Sequence, residues 1–176
     1  LPYASSTGNT TDQLYDLGVL EDQLYLFYRS GLLICYNLKS HQEIYRQKLP
    51  DELPKGKYEN TSYVVPGNNT FYQLRNGSQG GVMLNYDITR KKWNIVFQTD
   101  YRLNSLSIDK DSSIWVSCYM GLWNIDAGLI NKQYIPNLKL VDGRTINTEV
   151  STLYNDNQGG MWLGTLDRGI LYYHPN

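Results

Sequence analysis

Two histidines, two cysteines and a scatter of carboxylates are what this 176-residue chain offers for chemistry. His41 and His174 have no second His or Cys at metal-ligand spacing, and no Ser/His/Asp set can be assembled around either. Asp109-Lys-Asp111-Ser-Ser and Asn155-Asp156-Asn157-Gln158-Gly159 look superficially like calcium loops. They lack the full spacing and the closing Glu, so they read as turns between strands. Paired carboxylates for hydrolysis must converge in space, and the acidic residues fall mostly in turns. The expectation is therefore a chain with no catalytic centre, metal or cofactor. A ligand surface built from loops is the better candidate. Tyr28, Arg29, Arg75, Asn76, Tyr119, Asp167 and Arg168 are aromatic or polar side chains beside strand ends, suited to stacking and planar hydrogen bonding. Arg29, Arg75 and Arg168 come at similar places, after the second strand of three sequence repeats, and Tyr119 occupies that turn in another. The plainer reading of all seven is solvated turn residues.

Those turns are spaced by an internal repeat. Val150 to Asn176 and Leu103 to Asp126 share one phrase: apolar strand, polar turn, Trp-centred strand, Gly turn, apolar strand. Two weaker copies precede them. All four register on one aromatic (Tyr25, Tyr72, Trp115 and Trp162), each preceded by an apolar residue and followed by a Gly-containing turn, at a period in the forties. Several short strands per copy at that period predict propeller blades. The copies span about 12–49, 58–98, 101–136 and 148–176. Expected strands are Leu14–Leu20, Gln23–Tyr28, Leu32–Leu38 and Glu43–Lys48, then Ser62–Val65, Thr70–Leu74, Val82–Asp87 and Trp93–Gln98. The third copy has Leu103–Ile108, Ile114–Cys118, Leu122–Ile125 and Lys132–Ile135. The fourth has only Val150–Tyr154, Met161–Thr165 and Gly169–Tyr173. Asp142-Gly143 marks a hairpin turn in the last connector. The expected fold is all-β, a propeller fragment of about four blades of four-stranded antiparallel sheets, the last incomplete. Leu1 to Thr11 is a candidate to complete it, although Pro2, Gly8 and a Ser/Thr/Asn run make a poor strand.

Composition agrees. Sixteen Tyr and four Trp suit pleated, half-buried strands. A formal charge of −1 gives no broad electrostatic case for nucleic acid or an anionic membrane. No apolar run approaches the roughly 20 residues that span a bilayer. Leu1 to Gly8 does not read as a signal peptide, and a start without Met reads as a piece of a longer protein. Cys35 and Cys118 fall in non-neighbouring copies, which favours two buried small hydrophobes over a disulfide.

The fourth copy resembles the two-component regulator propeller repeat nearly throughout, in Val150, Leu153, Asp156, Gly159, Met161-Trp162-Leu163-Gly164-Thr165, Gly169-Ile170 and Leu171-Tyr172. Arg168 replaces the first Gly of its Gly-Gly pair. The third copy keeps Leu106, Asp109, Asp111, Ile114-Trp115-Val116, Gly121 and Leu122, with Ser117-Cys118 for Gly-Thr. The first two keep the rhythm but lack the Trp. The resemblance implies the extracytoplasmic, periplasmic sensor region of a hybrid two-component regulator, where such repeats form seven-bladed propellers ahead of a membrane helix and a histidine kinase. It implies detection of a carbohydrate, often an oligosaccharide. The alternative is an interaction scaffold without a small ligand. Kinase and membrane helix would lie elsewhere in the parent.

The repeated Trp phrase reads as a folding phrase. Tyr25, Tyr72, Trp115 and Trp162 are expected in the core, each Trp burying ~150–250 Å² between blades. Four copies are too few for a seven-bladed ring. A compact four-bladed propeller, an open arc and two chains closing one ring are all possible. The preferred expectation is an arc that pairs with itself through its open faces, forming a dimer.

Overall fold

A computed structural model describes residues 12–54, 56–78 and 80–174. The chain runs through antiparallel sheets in sequence order. Blade 1 is β1 (Leu14–Leu20), β2 (Gln23–Tyr28), β3 (Leu33–Asn37) and β4 (Glu43–Gln47). Blade 2 is β5 (Asn60–Gly67), β6 (Thr70–Gly77), β7 (Gly80–Asp87) and β8 (Lys92–Thr99). Blade 3 is β9 (Leu103–Ile108), β10 (Ile114–Cys118), β11 (Gly121–Ile125) and β12 (Lys132–Ile135). A two-stranded hairpin, β13 (Leu138–Lys139) with β14 (Thr145–Ile146), turns at Gly143 with φ 84°. Blade 4 has three strands, β15 (Val150–Asn155), β16 (Met161–Thr165) and β17 (Ile170–Tyr173). The all-β, four-blade reading with an incomplete last blade holds. The proposed completion by Leu1 to Thr11 lies outside the described residues.

Polar turns fix the strand ends. In blade 4, Asp156 Oδ1 accepts the backbone N–H of Gln158 and of Gly160, both at 2.8 Å, and its Oδ2 accepts Trp162 Nε1–H at 3.1 Å. In blade 3, Asp111 Oδ1 accepts the Ser113 N–H at 2.8 Å. The carboxylates that looked like calcium ligands thus spend their lone pairs on their own turns. Those hydrogen bonds favour the anion and hold the Asp111 and Asp156 carboxyls below the ordinary range.

Strand pairing decides which residues meet which blade, because side chains alternate faces. Tyr25, Phe27, Leu33 and Cys35 of blade 1 pack with Phe71, Val82, Leu84 and Tyr86 of blade 2. Leu74, Met83 and Phe97 of blade 2 pack with Leu106, Ile114, Val116 and Cys118 of blade 3. Leu122 and Trp115 of blade 3 meet Val150, Leu153, Met161 and Leu163 of blade 4. Each interface is apolar, and aromatic rings contribute to it. Tyr25 sits 4.9 Å from Phe71, and Trp115 6.2 Å from Tyr173, between ring centroids. Both cysteines are buried and unpaired, and desolvation pushes both thiols up.

The registered aromatics all point toward the following blade. Tyr25 is buried and Tyr72 and Trp115 are half-buried, each against its neighbour. Trp162 departs from the expected core position and is 43 % exposed. Its strand partners on that face, Tyr154 and Tyr172, are exposed with it. The cause is positional: among the described residues no following blade covers this face.

One stretch of blade 2 also differs from expectation. Asn76-Gly77 reads as part of a long turn, yet β6 continues through Gly77, which pairs with Gly80. Gly77 is needed for a close approach, since a Cβ there would lie 1.5 Å from the Lys57 carbonyl oxygen.

Candidate ligand surface at one end of the blades

The turn after each second strand lies beside the entry to that blade's first strand, and one backbone bond repeats there. Arg29 N–H donates to the Gln13 carbonyl at 2.9 Å, Tyr119 N–H to Arg102 at 3.1 Å and Leu166 N–H to Glu149 at 3.2 Å. Arg29, Tyr119 and Leu166 are therefore equivalent, four residues beyond the registered aromatic, and Asn76 falls at that spacing in blade 2. The residues one position earlier are Tyr28, Arg75, Cys118 and Thr165. Alternation turns them inward, toward the preceding blade.

This register corrects part of the sequence-based set. Tyr28 and Arg75 are 3 % and 1 % exposed. Both are interior residues: Tyr28 is the last residue of β2, as expected, and points inward, whereas β6 runs on through Arg75, past its expected end at Leu74. Arg75 is a buried cation fixed by neutral acceptors. Its Nε donates to the Tyr58 carbonyl at 2.9 Å and Nη1 to Thr61 Oγ1 at 2.7 Å. Its Nη2 donates to the carbonyls of Glu59 at 2.8 Å and Arg29 at 3.2 Å. Burial pushes the guanidinium down to about 10, which leaves it charged at neutral pH. It locks the connector before blade 2 onto the turn of blade 1.

Asn76 is also interior, at 6 % exposure. Its Nδ2 donates to the Leu103 carbonyl at 2.7 Å while its Oδ1 accepts the Leu103 N–H at 2.9 Å. The side-chain amide thus mimics a strand partner and ties blade 2 to the first residue of blade 3. The offset of three from the registered aromatic signals the inward role of Arg75; Asn76 stands at the offset of four, which is exposed in the other blades, and carries no such signal.

The remaining candidates are exposed on one end of the arc. Arg29 Nη1 donates to Gln13 Oε1 at 3.2 Å, and the neighbouring Ser30 hydroxyl donates to Asp12. Tyr119 is 54 % exposed. Near it, exposed Tyr101 stacks on Tyr134 with centroids 5.9 Å apart, and the Tyr134 hydroxyl donates to the Met120 carbonyl. Arg102 is exposed beside them. On blade 4, Arg168 Nε meets Asp167 Oδ2 at 3.1 Å, and Thr148 Oγ1 donates to Asp167 Oδ1. The same end of blades 3 and 4 thus carries an aromatic pair on one blade and a guanidinium–carboxylate pair on the next. Tyr101, Tyr134, Arg102 and Thr148 were missed from sequence, since they lie in connectors or on an outer strand.

The opposite end carries a shallow polar depression of about 470 Å³, lined by residues including Asn68, Asn69, Asn85, Asp87 and Arg90. Its side chains bond one another, as Asn69 Nδ2 does to Thr89 Oγ1 at 2.6 Å. It presents no exposed aromatic. His41 sits in a turn at φ 60°, and His174 lies 6.2 Å from the Tyr172 ring. No group of three or more His, Cys, Asp or Glu among the described residues could hold a metal ion.

No protein of curated function matches the chain. Residues 146–167 match the two component regulator propeller family. Among solved structures, the extracellular domain of the putative hybrid two component system BT4673 from B. thetaiotaomicron superposes with TM-score 0.69 at 16 % identity, over 95 % of this chain and 22 % of that one. The corresponding domain of BT3049 from the same organism gives 0.61 at 15 % identity, over 91 % and 20 %. The computationally designed Ika4 protein gives 0.63 at 13 % identity, over 97 % and 96 %. The chain therefore spans about a fifth of the two bacterial domains, and at these identities the likeness is one of fold. This chain is an open β-propeller of four blades, and residues 146–167, in and just before its last blade, match the two component regulator propeller family.

Proposed function

We propose that the chain is a periplasmic ligand-sensing segment of a hybrid two-component regulator, and that it binds a carbohydrate at the end of the arc bearing Tyr119 and Arg168. The regulator repeat at residues 146–167 carries this reading, and the fold shared with two extracellular domains of such systems supports it. Sugars are recognised by aromatic faces under their C–H surfaces and by planar polar groups at their hydroxyls. Tyr119 and Tyr101 supply the first, and Arg102, Asp167 and Arg168 the second. A ligand spanning blades 3 and 4 would restrain their relative movement, and a kinase elsewhere in the parent would read that restraint. The role proposed is binding, with no reaction at the site.

Calorimetric titration with a panel of oligosaccharides tests this. One member binds, and Tyr119→Ala and Arg168→Ala each weaken it tenfold or more while Arg90→Ala, at the other end, leaves it unchanged. A ligand indifferent to all three substitutions would move the site elsewhere. A panel without any binder would favour the second reading, an interaction scaffold, which the uncovered aromatic face of blade 4 supports.

A further inference from the structure

The β6–β7 hairpin of blade 2 reaches further than its counterparts. The second strands of blades 1, 3 and 4 end at Tyr28, Cys118 and Thr165, three residues past the registered aromatic. β6 passes the equivalent Arg75 and adds two cross-strand pairs, Asn76 with Gly81 and Gly77 with Gly80. Two residues at about 3.4 Å each carry the hairpin roughly 7 Å beyond the level at which the other second strands end. Three of the four added residues are glycines, and connectors press on them. A Cβ on Gly80 would lie 2.1 Å from the Thr99 carbonyl oxygen. One on Gly81 would lie 2.9 Å from the Tyr101 carbonyl oxygen and 2.8 Å from Asn76 Oδ1. The connector between blades 2 and 3 therefore lies directly on the raised hairpin.

That connector carries Tyr101 and Arg102 of the proposed carbohydrate surface, and its backbone is held at each step. The Tyr101 N–H donates to Thr99 Oγ1 at 3.3 Å, and the Arg102 carbonyl accepts the Tyr119 N–H at 3.1 Å. The next residue, Leu103, donates its N–H to Asn76 Oδ1 at 2.9 Å and accepts Asn76 Nδ2–H at its carbonyl at 2.7 Å. Asn76 is anchored from behind, since its Nδ2 also donates to Ser62 Oγ at 3.0 Å. Both ends of one buried amide thus hold the residue after Arg102. In the next joint Asn104 makes the donor half of this contact, to the Val150 carbonyl at 3.0 Å.

We propose that Asn76, backed by Gly81, is a positioning residue for the ligand surface. It fixes the level and direction of Tyr101 and Arg102, so that the ring and the guanidinium are in place before a sugar arrives. A loop ordered in advance loses less freedom on binding. The position it occupies is the one at which blades 1, 3 and 4 expose Arg29, Tyr119 and Leu166. Blade 2 uses that position to hold its neighbour's loop. The inference rests on the carbohydrate reading of this surface and gives Asn76 no contact with the sugar.

Amide exchange read residue by residue, with calorimetry on the panel oligosaccharide that the unsubstituted chain binds, tests this. In Asn76→Ala, checked for folding by circular dichroism, the Tyr101 and Tyr119 amides exchange at least fivefold faster, although neither is bonded to Asn76. Those of β16 do not change. Binding weakens at least tenfold with Tyr101 and Arg102 present, and threefold at most once both are alanine, because the clamp acts through them. Gly81→Ala, which displaces the same amide, gives the same pattern and replaces Asn76→Ala should that variant not fold. Equal weakening in both backgrounds would mean that Asn76 serves only the blade joint, and unchanged exchange at Tyr101 and Tyr119 would mean that the loop needs no clamp. Either result overturns the proposal. A chain that binds no member of the panel removes the carbohydrate reading instead, and the exchange rates alone then decide whether Asn76 holds the loop.

Discussion

Trp115 and Trp162 occupy the same place in the same phrase, yet one is covered and the other is not. Trp115 looks across to Tyr173 of blade 4, and its blade is closed on both sides by Leu106, Ile114, Val116 and Leu122. Trp162 stacks only within its own sheet, on Tyr172. The repeat thus specifies half an interface. It aims an aromatic at the next blade, and burial follows only when that blade is present. The same holds for Tyr25 and Tyr72, which carry the role without the Trp.

That contrast can be broken by substitution, most strongly where both faces are closed. Leu84 is fully buried in the joint of blades 1 and 2, and Leu84→Ala costs about 2–5 kcal/mol in chemical denaturation. Arg75→Met comes next, at about 3 kcal/mol, because it strips partners from three backbone carbonyls at the same joint. Arg75→Lys does not rescue it, since an ammonium cannot reproduce the guanidinium fork. Trp115→Leu follows at about 2 kcal/mol, whereas Trp162→Leu costs less than about 1 kcal/mol.

The smallest effect is one of pH. Backbone N–H groups of Gly160 and Gln158 lower the folded-state pKa of Asp156 below its ordinary 3.8. Its stabilising contribution is complete above the unfolded value and disappears as pH falls through the folded one. Below about pH 4, the turn that holds Trp162 loosens. A red shift of tryptophan emission in that window, absent in Asp156→Asn, checks it.

The architecture was legible because its signals are local. Leu14–Leu20, Ile114–Cys118 and Met161–Thr165 form strands over the residues expected. Their polar turns and apolar runs depend on neighbours close in sequence. The Asp142-Gly143 hairpin was legible for the same reason. Arg75 was not, because Asn76-Gly77 has the composition of a turn while its glycine serves close packing on the connector, a contact made across the fold. Arg75 and Asn76 look like surface residues by type, and only their hydrogen bonds to Arg29 and Leu103 make them interior. Trp162 failed in the opposite sense. Its position was read correctly, but burial depends on a neighbour that the phrase does not encode.

Hydrogen exchange tests the central claim most directly, since it reads every strand in one measurement. If each phrase supplies half an interface and the neighbouring blade the other half, β6, β7, β9 and β10, in blades closed on both sides, exchange slowly, and β15 to β17, closed on one side, exchange faster. Protection of β15 to β17 equal to that of β9 and β10 would contradict the account.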